Sequence, residues 1–170
     1  MKKLCLILAL ATMALAAQTA RAAEPIVDRW DSPTITRTLE SLGATQIRAA
    51  ALNGRPGLLA TTPDGLNLGL YAQACTPSQA NPSDPAICHA VEFILIYDPG
   101  AGPDRSLLVD RLNHDFALGK FTAERDGSIQ LVRYLNLTGG VTEANLKAEL
   151  GEFFAVAAQA KLTVWNAPAS

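Results

Sequence analysis

The first clear hydrophobic pattern in this chain is that of a short amphipathic helix. Ile35, Leu39 and Leu42 recur at intervals of four and three residues, which places them on one face of an α-helix. The Ser32–Pro33 pair is a typical helix start, with serine as the N-cap and proline at the first helical position. Gly43 is typical of a helix end. The pattern therefore predicts a first helix from Pro33 to Leu42.

Six later segments have the alternation or the residue types of β-strands. The dipeptides Asn53–Gly54 and Asp126–Gly127 lie between neighbouring segments and predict tight hairpins. A second helix is predicted to begin at Ser106 and a third at Thr142, each residue acting as the N-cap. The predicted strands are residues 46–52, 58–62, 66–75, 88–97, 121–125 and 129–136.

The order of these elements is helix, four strands, helix, two strands and helix. Because strands and helices do not alternate one by one, the economical α+β architecture is a mostly antiparallel sheet with the helices packed on one face. We expect one domain over residues 33–162. A loose lead-in at residues 23–32 is expected to precede it, and a flexible tail at residues 163–170, which carries Trp165, is expected to follow.

The first 22 residues have the three-part order of a secretory signal peptide. Lys2 and Lys3 supply the positive start, and residues 4–17 form an apolar run that is shorter than the ~20 residues of a membrane-spanning helix. Small residues precede a cleavage site between Ala22 and Ala23. We therefore expect residues 1–22 to be removed and the mature chain to work in the bacterial periplasm or outside the cell.

Removal of the leader changes the charge balance. The remaining 148 residues carry 11 basic and 16 acidic side chains, a net charge of −5. No cluster of lysine and arginine remains that could follow a phosphate backbone, so we do not expect nucleic acid as a partner. No later segment is apolar over the length that a spanning helix needs, and we expect no stable membrane span in the mature form.

Two cysteines remain in the mature chain, Cys75 and Cys88. An even pair in an oxidising compartment favours a disulfide, which here would join the facing ends of two consecutive strands. The alternative is a metal site that adds His89, with or without His114. The spacing contains no C-x-x-C pair and no paired histidines, so the pattern favours the disulfide.

Motifs in the second half of the chain resemble those of one bacterial family. They are Asn113, then Leu118–Gly119–Lys120–Phe121, Arg125–Asp126–Gly127 and Leu137–Thr138–Gly139–Gly140–Val141–Thr142. They are similar to the asparagine helix, the glycine-basic step, the acidic-Gly hairpin and the entry to the last helix of the YbjN domain, whose members are described as sensory-transduction regulators. The resemblance covers roughly residues 35–158. It implies a fold like that of small type III secretion chaperones and a binding or regulatory role.

Four residues are candidates for a binding site. Asn113 and Lys120 are placed to face a groove between the second helix and the sheet, although Asn113 also suits a helix end and Lys120 a solvated position. Gly139 and Gly140 precede a helix whose first N–H groups could hold an anion. The alternative for this pair is a tight turn that requires glycine.

The residues support three hypotheses of function. The preferred one is an exported, non-catalytic protein-interaction or regulatory module, chaperone-like, whose partner is another protein or a second copy of the chain. The alternative is a periplasmic domain that binds a small apolar or anionic ligand in a concave pocket between sheet and helices. The third is a hydrolase of unfamiliar type, although the chain contains no G-x-S-x-G motif. We expect no enzyme activity, no metal and no cofactor.

We expect the exported protein to begin at Ala23 and to be two hydrogens lighter than its reduced form, because the bond between Cys75 and Cys88 removes two thiol hydrogens. Intact-mass analysis of protein purified from the periplasm measures both quantities. A mass that includes Met1 would contradict export, and labelling of two free thiols would contradict the disulfide.

Overall fold

The structure is a computed structural model that describes residues 24–78, 84–98 and 105–166. The predicted signal peptide, with Ala22 and Ala23 at its cleavage site, lies outside the described residues, as do the last four residues of the predicted tail. Within the described ranges, no helix is both long enough and apolar enough to cross a membrane.

Three helices and eight strands make up the described ranges. The helices are α1 (Ser32–Ser41), α2 (Ser106–Asp115) and α3 (Glu143–Asn166). The strands are β1 (Ile26–Val27), β2 (Thr45–Leu52), β3 (Arg55–Thr61), β4 (Asn67–Thr76), β5 (Ile87–Tyr97), β6 (Lys120–Ala123), β7 (Ile129–Asn136) and β8 (Val141–Thr142).

Six strands form one antiparallel sheet in the order β2-β3-β4-β5-β7-β6, while β1 and β8 pair separately. The fold is therefore α+β with a mostly antiparallel sheet, as the hydrophobic pattern predicts; β1 and β8 were not predicted. The Asn53–Gly54 turn between β2 and β3 has φ values of 51° and 77°. Both are positive, as the type I′ turn of a two-residue hairpin requires.

The core lies between one face of this sheet and α3. Phe93 on β5 meets Phe153 on α3 edge to face, with ring centroids 5.5 Å apart. The buried hydroxyl of Tyr97 donates a hydrogen bond to the Ala157 carbonyl at 3.1 Å, and burial raises the pKa of this phenol above its ordinary value. These contacts fix α3 across the middle of the sheet.

The residues before α1 are ordered, so the prediction of a loose lead-in is wrong for the described residues from Glu24 onward. Val27 pairs with Val141 in the β1–β8 ladder, and the Trp30 N–H donates to the Cys88 carbonyl at 2.7 Å. A local hydrophobic pattern does not reveal these contacts, because their partners lie far along the chain.

The predicted flexible tail is also wrong for residues 163–166, which form the last turn of α3. Val164 is buried, and the Trp165 ring lies 6.0 Å from the Tyr97 ring. The helix continues because these two side chains find apolar partners in the core, where the local sequence alone predicts a fraying end.

The helix starts differ from the prediction at two of three positions. Asp31, rather than Ser32, is the N-cap of α1, and its carboxylate accepts a hydrogen bond from the Thr34 N–H at 3.2 Å. Ser106 is the first helical residue of α2 and not its N-cap. Thr142 does cap α3, since its hydroxyl accepts from the Asn145 N–H at 3.1 Å.

The side chain of Asn113 closes one edge of the sheet. Its amide nitrogen donates to the Phe121 carbonyl at 3.0 Å, and its amide oxygen accepts from the Phe121 N–H at 2.8 Å. Phe121 lies on β6, an edge strand, so the asparagine supplies the two main-chain partners that a further strand would supply. These two hydrogen bonds also tie α2 to the sheet.

We expect Asn113→Ala to lower the free energy of unfolding by about 1–3 kcal/mol, because it leaves the Phe121 N–H and carbonyl without partners. Urea denaturation measures the loss. Asp110→Ala, an exposed substitution on the same helix, is the matched control and should change stability by less than about 0.5 kcal/mol. Equal stability of the two variants would contradict the edge-closing role.

Candidate functional site

The face of the six-stranded sheet opposite α3, called the open face below, is built by residues that pair across neighbouring strands. Arg48 pairs with Leu59, Leu59 with Gly69, and Gly69 with Ile94. Paired residues point to the same side of a sheet, so these four form one row across β2 to β5. Ile96 on β5 extends the apolar part of this face and is 45% exposed.

A groove of about 530 Å³ runs over the open face. Aliphatic side chains and the Gly69 backbone form its floor, polar side chains form its rim, and none of the lining residues belongs to a helix. The lining residues are Gln46, Arg48, Leu52, Leu59, Ala60, Thr61, Asn67, Leu68, Gly69, Tyr71, Ile94, Ile96 and Gln130. Its volume falls in the range of small-molecule sites.

Two strand glycines set the position of Tyr71 beside this groove. A Cβ atom on Gly57 would lie 2.6 Å from Cδ1 of Tyr71, and one on Gly69 would lie 2.7 Å from Cε2. The aromatic ring therefore occupies the space that side chains at both glycines would fill. The Tyr71 hydroxyl lies 3.1 Å from the same Cβ position of Gly69, which brings it into the row of Arg48.

Arg48 is the one charged residue in the lining of the groove. Among the described residues, neither its guanidinium nor the Tyr71 hydroxyl has a hydrogen-bond or ion-pair partner. Two strand spacings separate Arg48 from Gly69, about 10 Å between Cα atoms. An arginine side chain can span most of that distance, so both donors can reach one ligand that lies over Leu59.

A network of three polar side chains lies beside the groove on the same face of the sheet. Arg55 donates to the side-chain oxygen of Gln73, and the Gln73 amide nitrogen donates to the carboxylate of Glu92. Glu92 is the acidic residue paired with Tyr71 across β4 and β5. The Glu92 carboxylate therefore bonds to Gln73, and none of these three side chains lines the groove.

Chemically, the groove suits binding of an amphipathic anion. Arginine offers charge-assisted hydrogen bonds in a fixed planar geometry, an aromatic ring provides a flat apolar contact surface, and the aliphatic floor removes apolar ligand surface from water. No carboxylate, histidine or cysteine lines the groove. In the part of the chain that the structure describes, no group of three His, Cys, Asp or Glu residues is arranged to hold a metal ion.

The cysteines form the predicted disulfide. The Sγ atoms of Cys75 and Cys88 are 2.07 Å apart, and the two residues pair directly across β4 and β5. The alternative metal site does not form with the histidines, since His89 Nδ1 bonds to the Asp28 carbonyl at 2.8 Å and His114 Nδ1 lies 3.1 Å from Asp115 Oδ1. A disulfide here is compatible with an oxidising compartment.

The predicted site at Asn113 and Lys120 does not form. Both polar atoms of the Asn113 amide are bound to the main chain of Phe121, so this side chain serves the scaffold. Lys120 is exposed and pairs with Val132 on the open-face side of β6 and β7. It does not line the groove described above.

The predicted anion site at Gly139 and Gly140 is wrong, because this chain itself occupies the N–H groups that would bind the anion. At the start of α3, the Glu143 N–H donates to the Pro25 carbonyl and the Ala144 N–H donates to Glu24 Oε1 at 2.9 Å. Both glycines have φ of 86°, as the turn alternative requires.

Sequence reasoning missed the groove, although one signal was present. Gly57 and Gly69 lie inside strands, where glycine is unfavourable and often marks a close approach by another group. Gly57 pairs with Tyr71, and Gly69 pairs with Leu59. The ring lies between the two glycines only because β3 and β4 pair in this register. Arg48 and Tyr71 gave no such signal, since each alone resembles an ordinary strand residue.

Comparison with models of known protein families finds no match, and no curated protein matches the chain.

We expect Gly57→Ala to lower the free energy of unfolding by about 1–3 kcal/mol, as overpacking does. Its Cβ would lie 2.7 Å from the Leu70 carbonyl oxygen, and the backbone of β4 would have to shift. Gly69→Ala should cost less, because the three atoms nearest its Cβ all belong to the Tyr71 side chain, which can turn away. Urea denaturation of both variants measures the difference, and equal losses would contradict the described position of the ring.

Proposed function

We propose that this chain is an exported, non-catalytic binding module that holds a small amphipathic anion in the groove on the open face. The observation that carries the proposal is a combination of three features: Arg48, which has no partner among the described residues, the adjacent hydroxyl and ring of Tyr71, and an aliphatic floor that includes Leu59 and Ile94. The ligand places its anionic group at Arg48 and its apolar body along the floor.

The lining of the groove supports binding without catalysis. General acid–base catalysis works best with a group whose pKa lies near the operating pH, and such groups are usually histidines or perturbed carboxylates. The ionisable lining residues are Arg48 and Tyr71, and neither is a histidine or a carboxylate. The remaining polar lining residues are amides and a threonine, which orient ligands by hydrogen bonds.

Two observations support a location in the bacterial periplasm or outside the cell. The disulfide between Cys75 and Cys88 belongs to an oxidising compartment. The pattern of residues 1–22 is that of a cleavable secretory leader. A ligand carrier in that compartment meets small anions without competition from cytoplasmic metabolites.

A second candidate is the protein-interaction or regulatory module that the resemblance to the YbjN domain implies. The outer edge of β2, which no strand in the described ranges pairs with, favours it, because exposed edges pair with other chains. A ligand groove and a pairing edge are compatible in one module, since Arg48 and Leu52 on β2 also line the groove.

We expect anilinonaphthalene sulfonate, a fluorescent amphipathic anion, to bind the folded chain at one saturable site. Arg48→Gln should weaken this binding about tenfold to a hundredfold, the equivalent of one charge-assisted hydrogen bond. Fluorescence titration measures the dissociation constant. Gly69→Ala should also weaken binding, because it displaces the Tyr71 ring from its place beside the groove.

Arg37→Gln is the matched control, because it makes the same change of charge on α1, outside the groove. It should leave the dissociation constant unchanged. The proposal fails if the two arginine variants bind the probe equally well, or if binding does not saturate. Native mass analysis of protein purified from the periplasm then identifies any natural ligand by the added mass.

A further inference from the structure

The two edge strands of the six-stranded sheet differ in what binds their outer main-chain groups. At β6, the side chain of Asn113 binds the main chain of Phe121 and α2 packs alongside. At β2, no strand in the described ranges pairs with the outer side, and most of its residues are exposed. Unpaired strand edges tend to pair with other chains unless charge, proline or a covering element blocks them. β2 lacks proline and carries Arg48 as its single charge.

The hairpin between β2 and β3 decides which main-chain groups of β2 point outward. The Leu52–Arg55 pair closes the two-residue turn, and the residues of such a closing pair exchange hydrogen bonds. Bonded and non-bonded pairs then alternate along an antiparallel ladder. Ala50 therefore bonds to Gly57, and the N–H and C=O groups of Ala49 and Ala51 point away from β3.

The position of proline in β3 agrees with this alternation. Pro56 lies opposite Ala51, and proline has no N–H to donate. In a non-bonded pair the N–H would point away from β2, so proline costs the β2–β3 ladder no hydrogen bond. The outward direction of the Ala51 main chain is thus required by both the turn and the proline.

We propose that β2 pairs with β2 of a second copy of this chain, antiparallel and with a two-fold axis at Ala50. The Ala49 N–H and C=O groups then bond to Ala51 of the second copy, and the reverse pair repeats these bonds, which gives four main-chain hydrogen bonds. Two six-stranded sheets become one continuous sheet of twelve strands. This isologous arrangement is the commonest symmetry of protein dimers.

The charge of Arg48 selects this register. With the axis at Ala50, Arg48 lies opposite Leu52 of the second copy, and the two Arg48 residues are four positions apart, about 13 Å along the strand. That exceeds the screening length of about 8 Å at physiological salt. An axis at Ala49 would bring the two arginines two positions apart on one face, about 7 Å. An axis at Ala51 would pair only residues 50–52, since the strand ends at Leu52.

Two copies of β2 can also pair without a steric clash. Three consecutive alanines, residues 49–51, place a methyl group on each face of the sheet around the axis, so two copies can approach without a clash. Arg48 and Leu52 line the groove, and pairing at β2 therefore sets the two grooves side by side. The dimer does not rest on the proposed ligand, and its failure would leave the binding experiment untouched.

Charge substitutions at the axis test the pairing. In the proposed register the two Ala50 side chains face each other at about 5 Å, so Ala50→Lys and Ala50→Glu should each be monomeric through like-charge repulsion. A mixture of the two should recover the dimer, because opposite charges then meet. Size-exclusion chromatography with light scattering measures the solution mass, which should double in the unmodified chain and in the mixture.

Two further variants keep the test decisive. Ala49→Pro removes an outward N–H without removing a β2–β3 hydrogen bond and should also give a monomer. Thr122→Lys changes an open-face position on β6, at the opposite edge of the sheet, and should leave the dimer intact. Circular dichroism confirms folding of each variant. The proposal is overturned by a monomeric unmodified chain at every concentration, by a dimer that persists in the Ala50 and Ala49 variants, or by a charge mixture that stays monomeric.

Discussion

The packing of α3 against one face of the six-stranded sheet is the interaction on which the rest of the molecule depends. Phe153 and Ala157 of this helix meet Phe93 and Tyr97 of β5, near the centre of the strand order. Full burial of each large apolar side chain contributes about 1.5–3 kcal/mol. Residues of α1 and α2, among them Leu39 and Leu112, join the same core. In the described ranges, no helix covers the groove on the opposite face of the sheet.

That open face carries two costs that the structure offsets locally. Glycines inside strands lose packing and conformational entropy, and the Tyr71 ring fills the space above Gly57 and Gly69. A carboxylate on the same face, Glu92, is bound by Gln73. Arg48 has no hydrogen-bond or ion-pair partner among the described residues, so its exposed guanidinium is available to a ligand beside the apolar floor. This exposed cation beside an apolar floor is the reason we propose a ligand here.

The elements that local sequence predicted correctly are those with local causes. The Asn53–Gly54 turn forms because two adjacent residues tolerate positive φ, and α1 ends where Gly43 adopts a φ of 81°. The Cys75–Cys88 pairing followed from the positions of two strand ends across one loop. By contrast, the local pattern predicted residues 24–30 and the last turn of α3 as loose. Both are ordered through partners more than fifty residues away.

The sequence by itself determined the α+β class, the hairpins and the disulfide, because hydrophobic period, turn residues and cysteine spacing act over a few neighbours. Only the tertiary structure decided where the residues of the proposed site meet. Arg48, Leu59, Gly69 and Ile94 lie on four different strands and share one row only through the register of three strand pairs. In the same way, Asn113 became an edge-closing residue, and not a ligand-binding one, because α2 packs beside β6. Register and packing are properties of the whole sheet, and no short stretch of sequence contains them.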